Sequence, residues 1–111
     1  MAVPEVGAAE AAALCAAGAL LLDVREPEEW EAGHAPAARH VPLGVLAARA
    51  GELPEEADIV VVCRGGGRSL LAATALAGAG MRTLNLTGGM ESWHAAGLPV
   101  VTDAGGPGKI V

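Results

Sequence analysis

Short apolar runs separated by helix-forming stretches give the chain an alternating pattern. The clearest run is Ile59–Val62, whose continuous β-branched residues are typical of a central parallel strand buried on both faces. Further strands are predicted at residues 19–24, at Thr83–Leu86 and at residues 39–43. The last of these should lie at a sheet edge, because Pro42 cannot donate a hydrogen bond to a neighbouring strand.

Helices are predicted between these strands, at residues 8–17, 27–32, 45–50, 69–79 and 90–96. Pro27 suits the first position of a helix, while Gly18 and Gly33 suit the positions that end one. The stretch 69–79 is apolar nearly all round, which predicts a well-buried helix. Strands that alternate with helices predict an α/β domain with a mainly parallel central sheet and helices on both faces.

The length and composition favour a single domain and exclude several classes of protein. With 111 residues, 52% of them hydrophobic, the chain can fold around one core and is not of a disordered type. Only 2% of the residues are aromatic, and the net charge is −6, which disfavours nucleic-acid binding. We expect a domain over residues 1–103 and a flexible tail over 104–111, where Gly105, Gly106 and Gly108 surround Pro107.

Targeting signals and stapling disulfides are not expected. Residues 8–22 are mostly apolar, but Glu10 interrupts them and no basic residue precedes them, so a signal peptide is disfavoured. No apolar run is as long as a membrane span, and two cysteines are too few for a disulfide scaffold. We therefore expect a cytoplasmic protein without membrane contact, either a monomer or a weak dimer.

The charge is unevenly distributed. Residues 1–58 hold eleven acidic and three basic residues, whereas residues 59–90 hold Arg64, Arg68 and Arg82 and no acidic residue. An acidic chain with one basic segment indicates a local site for a small anion rather than a broad polyanion-binding face.

Cys63 follows the Ile59–Val62 run and precedes Arg64-Gly65-Gly66-Gly67-Arg68 and the predicted helix. Such a cysteine is often only a small buried core residue. Here, however, the glycines allow a tight curl whose N–H groups face one point, as in anion sites at helix N-termini. Those N–H groups, the helix dipole and two guanidinium groups would stabilise a thiolate and hold an incoming oxyanion. Ligands of parallel sheets also bind at the carboxyl ends of strands.

The sequence resembles the rhodanese family, whose members are sulfurtransferases of the thiosulfate type. The family loop Cys-Arg-x-Gly-x-Arg matches Cys63 to Arg68. The signature Asp-x-Arg, Glu-aromatic and Gly-His matches Asp23 to Arg25, Glu29-Trp30 and Gly33-His34. A C-terminal signature matches Gly88-Gly89, Trp93 and Gly97-Leu98-Pro99-Val100, and the whole resemblance spans about residues 20–101. After His34 the chain departs from the family pattern, since Ala35-Pro36-Ala37-Ala38 replaces an aliphatic residue, Pro and Gly-Ala.

The resemblance implies that a Cys63 thiolate takes a sulfane sulfur from a small anionic donor such as thiosulfate and passes it, as a persulfide, to cyanide or a thiol. We expect no cofactor and no metal site. The implied substrate-binding residues are Arg64, Gly65, Gly66, Gly67, Arg68 and Ser69. Behind them, Asp23, Arg25 and His34 are candidates for a supporting layer.

Two alternatives remain open. The domain could be a persulfide carrier that delivers sulfur from a desulfurase to a protein partner. A cysteine phosphatase or arsenate reductase is less favoured, because a phosphatase loop needs an arginine at the seventh position, where this chain has Ser69.

Side chains outside the loop are given structural roles. Arg25 is expected to form an ion pair with Glu29, and Trp30 and Trp93 to anchor helices on the sheet. Cys15 is interpreted as a small core residue.

Overall fold

A fully parallel five-stranded sheet forms the centre of the chain. The computed structural model describes residues 2–111. Its strands are β1 (Glu5–Val6), β2 (Leu20–Asp23), β3 (Arg39–His40), β4 (Ile59–Val62) and β5 (Thr83–Leu86). They lie in the order β1-β5-β4-β2-β3, and every neighbouring pair is parallel, which confirms the predicted α/β class.

Helices cover both faces of this sheet. They are α1 (Ala8–Ala16), α2 (Pro27–Ala32), α3 (Leu43–Arg49), α4 (Gly67–Gly78) and α5 (Gly89–Ala95), with a short 3₁₀ turn at Ala50–Glu52. Helices α1 and α5 contribute to one apolar cluster, and α3 and α4 contribute to another. Within residues 2–111, no helix is long and apolar enough to cross a membrane.

Strand β4 lies between the two clusters. Because successive side chains of a strand point to opposite faces, Ile59 and Val61 pack with α3 and α4, while Val60 and Val62 pack with α1 and α5. All four are fully buried, as the continuous β-branched run predicts. Cys63 follows the same alternation and lies on the α4 side, at the carboxyl end of the strand.

Helix α4 differs from the prediction, because only one of its faces is buried. Ala72, Ala73 and Leu76 pack into the core, whereas Leu71 on the outer face is 68% exposed and Leu70 is 38% exposed. The helix is therefore less buried than predicted. A helix lying on a sheet buries one stripe, and here small alanines occupy much of that stripe.

Strand β1 was not predicted, because two residues are too few to show an alternating pattern. It pairs with the edge of β5, where Glu5 lies beside Asn85 and Val6 beside Leu86. This pairing brings a carboxylate from the start of the chain to the strand that neighbours β4.

The predicted flexible tail makes defined contacts with the domain. The backbone N–H of Gly108 donates to Val100 O and that of Lys109 donates to Ala32 O, each at 2.9 Å, and Ile110 packs against the α1 and α5 cluster. A Cβ atom at Gly33 would meet the Lys109 backbone at 2.6 Å, so this glycine allows the segment to lie against the end of α2. Residues 108–110 thus contact the domain in this structure, and the flexibility of the tail stays a prediction.

Candidate active site

Cys63 lies at the base of a curled loop between β4 and α4. Gly66 adopts a φ of +111°, in the left-handed region that favours glycine, immediately before α4 begins at Gly67. This curl directs the Gly66 N–H to Cys63 Sγ at 3.1 Å. Cys63 is only 1% exposed, whereas Arg64 and Gly65 after it are exposed, so the thiol lies just beneath the surface.

Ser69, from the first turn of α4, contacts the same sulfur. Its Oγ is 3.3 Å from Cys63 Sγ, and the Ser69 side chain is fully buried. Burial alone would raise the pKa of the Cys63 thiol. Hydrogen bonds from Ser69 and from the Gly66 and Gly65 N–H groups outweigh it, so the pKa lies below its ordinary value. The site therefore stabilises the Cys63 thiolate relative to that of an ordinary cysteine.

Arg68 is bound by a carboxylate that the sequence did not associate with it. Its two terminal nitrogens donate to the two oxygens of Glu29 on α2, at 2.7 and 2.9 Å. This bidentate pair lowers the pKa of Glu29 to about 2 and raises the pKa of Arg68. The predicted Arg25–Glu29 ion pair is wrong, because Glu29 faces the loop.

Arg64 lies on the exposed rim of the loop, with its side chain half exposed. Its Nε donates to Val111 O at 2.9 Å, and its Nη2 is 3.5 Å from a Glu91 carboxylate oxygen. A Cβ atom at Gly65 would lie 3.5 Å from a carboxylate oxygen of Glu91, so this side chain also lines the loop. A Cβ atom at Gly67 would meet nothing within 4 Å. The two candidate arginines thus differ, because only Arg68 is held by a bidentate pair.

Asp23 and Arg25 do not line the mouth of the site. Both side chains are fully buried, and Arg25 donates to both Asp23 oxygens, at 2.8 to 3.1 Å. Arg25 Nη2 also donates to Gly33 O at 2.7 Å, which ties the end of β2 to the end of α2. The pair braces the helix that carries Glu29 to the loop.

His34 lies at the turn after α2. Its ring nitrogens contact Ala35 O at 3.0 Å and an Asp103 carboxylate oxygen at 2.8 Å. The ring stacks on Trp30 with centroids 3.6 Å apart, and His40 stacks on the same indole at 4.7 Å. Trp30 therefore stacks on histidines and is only half-buried, contrary to its predicted role as a helix-to-sheet anchor. Trp93 is buried in the core as predicted.

Asn85 on β5 was missed by the sequence reasoning, although it completes the polar surroundings of the sulfur. Its Oδ1 is 2.6 Å from Ser69 Oγ. Its Nδ2 donates to Gly66 O at 3.2 Å and to Glu5 Oε1 at 3.1 Å. The available signal was a polar residue between Leu84 and Leu86 in a predicted strand.

The start of α5 holds the loop from the other side. The Met90 N–H donates to Cys63 O at 2.8 Å, and the Glu91 N–H donates to Arg64 O at 3.1 Å. Gly89 has a φ of +58°, and a Cβ atom there would collide with both of these carbonyl oxygens. The Gly88-Gly89 motif is thus explained by a close approach of two backbones.

Cys15 is remote from this chemistry. It packs in the α1 and α5 cluster, on the face of the sheet opposite to Cys63. Burial raises the pKa of its thiol. Both cysteines are free, and the sheet between them prevents a resolving disulfide in this fold.

Comparisons with known proteins show the family of this chain. A family model for the rhodanese-like domain matches residues 7–96. A sulfurtransferase of Allochromatium vinosum is 40% identical over 87 residues, covering 78% of this chain and 81% of that protein. The thiosulfate sulfurtransferase GlpE of Pseudomonas syringae is 36% identical over 86 residues, covering 77% of this chain and 81% of that protein.

Solved structures share the fold. A rhodanese-related protein from Thermoplasma volcanium superposes with a TM-score of 0.85 at 30% identity, covering 90% of this chain and 99% of that one. The matched residues 7–96 include β2, β4, β5 and the Cys63 loop. This chain belongs to the rhodanese-like domain family, whose relatives named above are sulfurtransferases.

Proposed function

We propose that this protein transfers a sulfane sulfur atom through a persulfide on Cys63. The observation that carries the proposal is the sulfur at the base of the loop, with Gly66 N–H at 3.1 Å and Ser69 Oγ at 3.3 Å. These hydrogen bonds lower the pKa of Cys63, and the thiolate is the nucleophilic form of cysteine.

Thiosulfate is the proposed donor. The Cys63 thiolate attacks its outer sulfur, the sulfur–sulfur bond of thiosulfate breaks, and sulfite leaves with the bonding pair. The product is a Cys63 persulfide whose negative charge lies on the outer sulfur, close to the loop N–H groups. Cyanide or a thiolate then attacks that outer sulfur and releases the Cys63 thiolate, so ping-pong kinetics are expected.

The two arginines have different roles in binding this donor. Arg68 is neutralised by Glu29, so its main role is to hold the loop in shape. Arg64 is half exposed on the rim and has only a 3.5 Å ion pair, so it is the side chain proposed to attract a sulfonate group. The similarity to GlpE, named as a thiosulfate sulfurtransferase, supports the same donor.

A persulfide carrier is the second candidate. Both loop arginines lie beside carboxylates, Glu29 and Glu91, which weakens the attraction of the site for a free dianion. Such a site suits a donor that is itself held by protein contacts, such as the persulfide of a cysteine desulfurase. In that case Cys63 would deliver the sulfur to a partner protein.

Thiocyanate formation from thiosulfate and cyanide tests the proposal. We expect turnover in the wild type, none in Cys63→Ser, and wild-type turnover in Cys15→Ser, the matched control on the other face of the sheet. Intact mass after thiosulfate treatment should show one added sulfur atom only where Cys63 is present. Equal rates in the wild type and Cys63→Ser would reject the assignment. Slow turnover with fast loading from a desulfurase would favour the carrier, and hydrolysis of p-nitrophenyl phosphate would favour a phosphatase.

A further inference from the structure

The amide of Asn85 has only one orientation that satisfies its neighbours. One end faces two acceptors, Gly66 O at 3.2 Å and the Glu5 carboxylate at 3.1 Å, so this end must be the NH₂ group. The other end, Oδ1, therefore faces Ser69 Oγ at 2.6 Å and can only accept. Asn85 is 1% exposed, so water does not compete for these contacts.

Ser69 has a single hydroxyl proton and three acceptors around it, which are Asn85 Oδ1, Cys63 Sγ and, at 3.2 Å, Gly66 O. Asn85 Oδ1 at 2.6 Å is much closer than Cys63 Sγ at 3.3 Å. While Cys63 is a neutral thiol, the proton points to Asn85, and a lone pair of Ser69 faces the S–H group. When Cys63 is a thiolate, the charged sulfur becomes the stronger acceptor, and Ser69 can stabilise it only by turning away from Asn85.

Sulfur transfer moves this charge. In the persulfide, Sγ is a neutral divalent sulfur and the negative charge lies on the outer sulfur. Sγ is then a weak acceptor, and the Ser69 proton again has Asn85 as its better partner. We infer that Asn85 is a positioning residue whose Oδ1 accepts the Ser69 hydrogen bond whenever Sγ carries no charge. Ser69 thereby exchanges hydrogen-bond partners between the two half-reactions. This inference rests on the proposed role of Cys63 as the residue that carries the sulfur.

Competition has a measurable consequence for the free enzyme. Because Asn85 Oδ1 and the thiolate compete for the hydroxyl proton of Ser69, Asn85 opposes the stabilisation of the thiolate by Ser69. The charged groups around the sulfur lie on other elements and are not removed by a change at Asn85. They are Arg64 in the loop, Arg68 in the first turn of α4, Glu29 on α2, Glu91 on α5 and Glu5 on β1.

A double-mutant cycle on the Cys63 pKa tests the inference. Thiolate absorbance near 240 nm is titrated in a Cys15→Ala background, so that Cys63 is the only thiol. S69A should raise the pKa of Cys63, because a donor is lost. N85L is introduced both with Ser69 present and together with S69A. Its effect on the Cys63 pKa should differ between the two, with the pKa lowered by about 1 more when Ser69 is present. The same change in both backgrounds, or a coupling of opposite sign, would overturn the inference.

Thermal unfolding of each variant serves as the control that the variant is folded. If N85L does not fold, Asn85→Ala replaces it in the same cycle, since it also removes the acceptor oxygen. The titration uses no sulfur donor, so its result is separate from the thiocyanate assay. If thiocyanate forms but the effects of N85L and S69A on the pKa are additive, only the role of Asn85 is rejected. If the effects are coupled but neither thiocyanate nor a persulfide forms, only the proposed function is rejected.

Discussion

The carboxylate of Glu29 receives two hydrogen bonds from the guanidinium of Arg68, at 2.7 and 2.9 Å, although 39 positions separate the two residues in sequence. The pair joins α2 to the loop that carries Cys63. It also removes most of the net charge of Arg68, so the loop is less positive than its sequence indicates.

Neutralising Glu29 should strengthen the binding of an anionic donor. Because the pKa of Glu29 is about 2, the carboxylate is charged at any ordinary assay pH. Glu29→Gln leaves the positive charge of Arg68 uncompensated, and the KM for thiosulfate should fall several-fold. Steady-state kinetics at low ionic strength measure this, with Glu28→Gln as the control for loss of a nearby exposed charge. An unchanged KM in Glu29→Gln would mean that Arg68 does not contribute to the potential felt by the donor.

Gly89→Ala should disrupt the loop as well as the local backbone. The new Cβ would collide with the carbonyl oxygens of Cys63 and Arg64, in addition to the strain of a positive φ. We expect a loss of about 2 kcal/mol or more in the free energy of unfolding, and a large loss of sulfur transfer. Gly97→Ala is the control, because Gly97 has a φ of +78° but nothing within 4 Å. Chemical denaturation measures the free energy of unfolding of both variants. Equal losses would mean that backbone strain alone, without the collision, destabilises Gly89→Ala.

Asp23→Ala should be among the most destabilising single changes. It leaves Arg25 fully buried without its carboxylate partner, which costs about 3–5 kcal/mol when a buried pair loses one member. The matched change at the surface is Asp58→Ala, which removes the partner of Arg82 in an exposed pair and should cost about 1 kcal/mol or less. Urea titrations of both variants compare the losses, and similar values would show that the buried pair is not a brace.

The two cysteines should ionise in separate steps. The pKa of Cys63 lies below its ordinary value and that of Cys15 above it, so the Cys63 thiolate forms first as the pH rises. Thiolate absorbance should therefore increase in two steps. Cys63→Ser should remove the lower step and Cys15→Ser the upper one. If Cys15→Ser removed the lower step instead, the interpretation of the loop as a thiolate site would fail.

The parallel sheet and the position of Cys63 could be predicted because both depend on local sequence. A β-branched run indicates a buried strand, and three glycines beside Cys63 indicate a curled loop. Three of the predicted site residues, Cys63, Gly66 and Ser69, are brought together by that short segment.

The pairing of side chains could not be predicted, because it depends on how the elements dock. Arg25 was expected to bind Glu29, but the end of β2 directs it back to Asp23, and α2 presents Glu29 to Arg68 instead. Asn85 and Glu5 meet only because the two-residue strand β1 adds to the edge of β5. Neither contact has a signature within a single stretch of sequence.

The contact between α5 and the loop has an electronic consequence for the sulfur. The peptide group between Arg64 and Gly65 accepts a hydrogen bond from Glu91 N–H at its oxygen, while the Gly65 N–H acts on Cys63. Electron density drawn to that oxygen leaves the N–H of the same peptide more polarised, which makes it a stronger donor. Helix α5 is thus linked to Cys63 through one intervening amide. Substitutions that shift the helix by a few tenths of an ångström are expected to change the pKa of Cys63 without altering any side chain of the loop.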